Sequence, residues 1–95
     1  MSAYMVVLLD VQNTDWVENY VANVPAIFRR YGGEYLAVSK RVETVEGDAK
    51  APDQIAIFTF PSVDAIKQFL ESADYAPYAK ARIAASSANV FAIEA

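Results

Sequence analysis

Arg82 carries the clearest chemical signal in this sequence. With Tyr75, Tyr78, Ala79 and Ile83 it forms one stripe at helical spacing, which puts a guanidinium on the inward side of a helix. Among apolar and aromatic neighbours that group needs a carboxylate, a carbonyl or an anionic ligand. It is read as the anchor of a ligand carboxylate. The plainer readings are a structural ion pair, or an arginine that buries its stem and snorkels its head to water. Glu46, in Glu43-Thr44-Val45-Glu46-Gly47-Asp48, is the candidate partner. A buried pair would be structural, whereas a pair at a pocket mouth could open for a ligand and leave Glu46 to move a proton. The alternative for Glu46 is an ordinary polar turn.

Asp10 interrupts an apolar run and by alternation shares a face with Tyr4, Val6 and Leu8. A half-buried carboxylate there could act as a proton shuttle. The simpler reading is a solvated strand end. Tyr4 and Tyr35 each open a strand, and either could donate a hydrogen bond to a bound carbonyl. Tyr20 lies on the first helix. Trp16, in the first helical turn, is read as partly buried or as packing at a dimer rim.

The absences are equally informative. The chain has no cysteine and no histidine. That excludes disulfides, thiolate catalysis, iron–sulfur clusters and a Ser-His-Asp triad. It also leaves haem without any axial ligand except tyrosine. The carboxylates show no calcium-loop spacing, and Gly32-Gly33 follows a helix instead of opening one, unlike a phosphate loop. No metal and no cofactor is therefore expected. The net charge of −4 argues against nucleic acid and anionic membrane as partners. The apolar run Met5–Leu9 is too short to span a bilayer and lacks the basic flank of a signal peptide. A cytoplasmic location is expected.

The elements that must position these groups read as β-α-β-β-α-β in one domain of 95 residues. A strand spans Ala3–Gln12. A helix capped by an Asp15/Glu18 box runs to about Tyr31, with the apolar stripe Val17, Tyr20, Val21, Val24, Ile27, Phe28 and Tyr31. Pro25 should kink or break it, and Gly32-Gly33 should end it. Strands are expected at Glu34–Ser39, Ile55–Phe60 and Asn89–Glu94, and Val42–Glu46 could lengthen the second. Ser62 caps a helix to Leu70 or Glu71. Asp74 caps another to about Ala85, with Pro77 in its first turn. This is the ferredoxin-like α+β pattern, a four-stranded antiparallel sheet with its helices on one face.

Those helices cover only one sheet face, yet the strands are apolar on both, and 55% of all residues are hydrophobic. A chain this short buries only about 60–65% of its unfolded surface. Stacking two sheets face to face in a homodimer covers the second face.

Several segments are familiar as a set. They are Ala3-Tyr4, Asp15 with Tyr20, Tyr31-Gly32-Gly33-Glu34-Tyr35-Leu36-Ala37, Glu46-Gly47-Asp48, and Phe60-Pro61-Ser62 with Ala65, Tyr75 and Arg82. In order and spacing the chain resembles, over nearly its whole length, the bacterial family numbered thirteen-thirty among the domains of unknown function. Ala49 stands where that family often has tryptophan, and Phe69-Leu70 where Trp-Tyr is common, so any pocket those rings line is altered here. The resemblance implies a dimeric α+β barrel and carries no reaction with it. The wider superfamily includes monooxygenases, haem-degrading enzymes and lactone isomerases, an analogy at the level of fold.

Two functions are weighed. One is a protein that binds or converts a small anionic organic molecule between helices and sheet. Arg82 would hold the anion, Tyr35 or Tyr4 would orient it, and Asp10 or Glu46 would move a proton. Cofactor-free isomerisation or oxygenation suits a site without histidine. The other is a non-catalytic dimeric module, structural or ligand-sensing.

Overall fold

Strand pairing sets the frame. In the computed structural model, which describes residues 2–95, β1 (Ala3–Val11) lies between β3 (Gln54–Phe60) and β4 (Ser86–Glu94). β2 (Glu34–Ser39) pairs with the outer side of β3, giving an antiparallel sheet in the order β2-β3-β1-β4. Helices α1 (Val17–Arg30), α2 (Val63–Glu71) and α3 (Ala76–Ala85) complete the order β-α-β-β-α-α-β. This is the expected ferredoxin-like arrangement.

Alternation along β1 sorts the two faces. Ala3, Met5 and Leu9 are buried under the helices with Ala56, Phe58 and Phe60 of β3. From above come Val24, Ile27 and Phe28 of α1 and Ile66 and Phe69 of α2. On the opposite face Tyr4, Val6 and Leu8 align with Thr59, Ile57 and Ile55 on one side and with Ile93, Phe91 and Asn89 on the other. None of the described residues covers this second face: Phe91 and Ile93 are 54% and 52% exposed.

The turn after α1 is built as its glycines suggested. The Gly33 N–H donates to the Phe28 carbonyl at 2.9 Å and the Gly32 N–H to the Arg29 carbonyl at 3.0 Å, the two bonds of a Schellman motif. Gly32 holds φ of +83°, and a Cβ there would come within 2.7 Å of Pro61 Cγ. β2 therefore leaves the helix pressed against the β3–α2 corner. Ser62 caps α2 as expected, accepting from the Ala65 N–H at 3.0 Å.

Five local expectations are corrected. The Asp15/Glu18 box does not form, because α1 starts at Val17 with Trp16 at its cap. Asn13 organises the turn instead, accepting from the Asp15 N–H at 3.3 Å while its carbonyl takes the Trp16 indole at 2.8 Å. Asp74 caps nothing: Tyr75 is the N-cap of α3, the Ser72 hydroxyl takes its N–H, and Asp74 pairs with Arg30 at 3.0 Å. Pro25 does not break α1 in two: the helix is one element from Val17 to Arg30. The carbonyl that proline leaves without a donor belongs to Val21, an exposed residue, where water can serve it. Val42–Glu46 forms no strand. β4 starts at Ser86, directly where α3 ends, three residues earlier than its apolar run indicated.

Candidate ligand cavity

A cavity of about 550 Å³ opens between the first half of α1, the end of the sheet where β1 and β2 finish, and α3. That size falls within the usual ~300–1,000 Å³ of small-molecule sites. Its floor is the helix-facing edge of β1, Met5, Val7, Leu9 and Val11 at every second position. α1 supplies the roof through Val17, Tyr20, Val21 and Val24. Polar residues are the minority of the lining: Arg82, Lys40, Asp53, Thr14, Gln54 and the tyrosines Tyr20, Tyr35 and Tyr75, with the Trp16 indole.

Arg82 of α3 is half-buried and lines the cavity. The ion pairs among the described residues are Arg29–Glu34 and Arg30–Asp74, so its guanidinium faces no carboxylate within 4.0 Å. Its N–H groups make no hydrogen bond within the described residues either. Beside it, the hydroxyls of Tyr20 and Tyr75 are 2.6 Å apart. Two hydroxyls bring two protons and their mutual bond uses one, leaving one O–H free to donate. Burial pushes the Tyr20 hydroxyl well above the ordinary phenol range, and the neighbouring Tyr75 pushes the same way; the Arg82 charge opposes both. Tyr20 thus stays neutral. Asp53 is the carboxylate in the lining, and one of its oxygens already accepts from the Val11 N–H at 2.9 Å. This cluster offers donors and little acceptance, an arrangement suited to an oxyanion.

Tyr35 of β2 also lines the cavity, 40% exposed at its edge, its ring set edge-on to Phe28 at 5.0 Å. Burial raises its pKa, with Arg29 opposing. The other sequence candidates lie elsewhere. Tyr4 points to the open sheet face, between Thr59 and Ile93. Asp10 shares that face and is exposed. Its Oδ1 accepts from the Asp53 N–H at 3.0 Å, while Asp53 returns a bond to Val11. This clamp continues the β1–β3 ladder beyond its last pair, Leu9 with Gln54. Glu46 is exposed on the β2–β3 connection and neither lines the cavity nor pairs with Arg82. The structure thus brings Arg82 and Tyr35 to one cavity and leaves Tyr4, Asp10 and Glu46 outside it. Alternation had already put Asp10 and Tyr4 together, but the face they share is the one the helices leave bare.

The Tyr20–Tyr75 pair was not foreseen. Both residues stand on apolar stripes in the sequence, but 55 positions separate them, and no local pattern predicts such a contact. Trp16 is half-buried and also lines the cavity. Among the described residues no group of side chains could hold a metal ion, and no helix is long and apolar enough to cross a membrane.

The fold is shared with solved structures of low sequence identity. A protein of unknown function from Rhodopseudomonas palustris matches with a TM-score of 0.82 at 18% identity, over 99% of this chain and 82% of that one. A dimeric ferredoxin-like protein of unknown function from Jannaschia sp. matches with a TM-score of 0.73 at 11% identity, over the full length of both. SnoaB, a cofactor-independent oxygenase from Streptomyces nogalater, matches with a TM-score of 0.69 at 20% identity, over 99% of this chain and 92% of that one. No curated protein matches the chain significantly. The family model for the domain of unknown function DUF1330 matches residues 2–95, and the chain belongs to that family.

Proposed function

We propose that this chain is a single-domain, cytoplasmic homodimer that binds, and in one reading converts, a small organic anion in the cavity, with no metal or haem. The observation that carries the reading is Arg82, an arginine without a carboxylate partner lining a mostly apolar cavity. A guanidinium offers five donors in a planar fork suited to a carboxylate. The free proton of the Tyr20–Tyr75 pair adds another. The dimer reading rests on the bare apolar sheet face, with Phe91 and Ile93 half exposed. The likeness to a dimeric protein of the same fold supports it. The likeness to a cofactor-independent oxygenase supports conversion without a cofactor.

A non-catalytic, ligand-sensing module is the second reading. The observation favouring it is that Asp10 and Glu46, the carboxylates expected to move protons, lie outside the cavity. Native mass spectrometry of the purified protein tests the binding reading. A two-chain mass carrying a small adduct that disappears in Arg82→Ala supports it. An adduct that survives the substitution overturns Arg82 as the anchor.

A further inference from the structure

Aromatic rings line the cavity as a connected belt. Trp16 meets Tyr20 edge-on at 5.3 Å between ring centroids, and Tyr20 meets Tyr75 at 6.0 Å. Tyr75 continues to Phe69 at 4.4 Å and Phe69 to Phe28 at 6.1 Å. Phe28 reaches Tyr35 at 5.0 Å. Every ring of this series borders the cavity. The belt thus runs from the N-terminal turn of α1 to the edge strand β2, opposite the aliphatic floor of β1. Ring faces are electron-rich and ring edges electron-poor, so such a wall favours another ring over an alkyl chain beyond what area burial provides.

The charges are as selective as the rings. Arg82 and the free tyrosine proton form one donor cluster. At the β2 side the cavity is edged by Val21 and Val38, 57% and 49% exposed, an apolar rim. Lys40 stands at the strand end with Asp53 also in the lining, so that corner is close to neutral. One anionic group is matched and a second is not. Benzene fills a cavity of roughly 150 Å³, so about 550 Å³ leaves room for fused rings.

From these features we infer that the ligand is an aromatic monocarboxylate with a fused-ring body. Its carboxylate lies on Arg82 and on the Tyr20–Tyr75 pair, and its rings lie between the belt and the β1 floor. This inference rests on the anion-binding reading above and adds the class of ligand.

Calorimetry on the full-length protein at neutral pH, with 2-naphthoate, decanoate and 2-naphthylmethanol as probes, tests it. The expected result is 2-naphthoate binding at least about ten-fold more tightly than either other probe. Arg82→Gln should weaken 2-naphthoate about ten-fold and leave 2-naphthylmethanol unchanged, which also shows that the variant is folded. Decanoate binding as tightly as 2-naphthoate, with both sensitive to Arg82→Gln, overturns the aromatic class and leaves the anion anchor standing. Acids that bind no better than 2-naphthylmethanol, or that ignore Arg82→Gln, overturn both.

Discussion

The hydroxyls of Tyr20 on α1 and Tyr75 at the start of α3 share a hydrogen bond of 2.6 Å across the cavity wall. It ties α1 to the start of α3 and leaves one O–H free to donate. Burial raises the Tyr20 pKa above its ordinary value of 10.0. A raised folded-state pKa means that the folded protein keeps a proton the unfolded chain gives up. The contribution is complete below pH 10 and falls as pH rises above it. Urea unfolding between pH 9 and 11 should therefore show stability dropping above pH 10, approaching a slope of about 1 kcal/mol per pH unit. Tyr20→Phe should flatten that slope. An unchanged slope in the variant would show that another group titrates.

Arg82 has no carboxylate to lose. Arg82→Gln should change unfolding free energy by no more than about 0.5 kcal/mol, as for a surface site, while anion binding falls about ten-fold. Glu46→Gln should leave both unchanged, since Glu46 is exposed and away from the cavity. Urea titration alongside calorimetry separates these effects. A large stability loss in Arg82→Gln would reveal a structural partner.

Asp10 and Asp53 act on backbone. Asp10→Ala and Asp53→Ala each remove one side-chain bond of the clamp, and each should cost about 0.5–1.5 kcal/mol. Both substitutions together should cost less than the sum, because the two bonds join the same pair of strand ends. Loss of ligand conversion without loss of stability in Asp10→Ala would restore it as a proton carrier.

Gly32→Ala should destabilise by about 1–2 kcal/mol or more, from its φ of +83° and the close approach to Pro61. Thermal melting read by circular dichroism measures it. A melting temperature equal to that of the parent would show that the Pro61 corner can yield.

Phe91→Lys puts a charge on the bare sheet face, on edge strand β4 where Phe91 lies opposite Val6. Size-exclusion chromatography with light scattering should show one chain where the parent shows two. A persistent dimer would mean that another surface joins the protomers.

The elements were largely legible from residue pattern alone. The α1 stripe, Gly32-Gly33, Ser62 and the apolar strands are local signals, and each has its counterpart in the structure, with β4 starting three residues earlier than its apolar run. Caps were legible only in part. Asp15 and Asp74 have the right chemistry, but neither α1 nor α3 has a side-chain cap; Asn13 and Ser72 bind the N–H groups of Asp15 and Tyr75, in the turns just before those helices. The apolar content of both sheet faces was also readable, because alternation with period two is a property of the chain itself.

The site was legible only where one helix face sufficed. Arg82 stood out because its stripe made it inward-facing without reference to any other element. Tyr4 and Asp10 show the limit: their shared face followed from alternation, but which face the helices would cover depended on the packing of α1, α2 and α3. The Tyr20–Tyr75 bond, the Asp10–Asp53 clamp and the ring belt join residues from distant parts of the chain. Sequence determined the elements and their apolar faces, since those depend on neighbours within a turn or a strand. The tertiary structure decided which polar groups share one cavity, because such meetings depend on how whole elements pack.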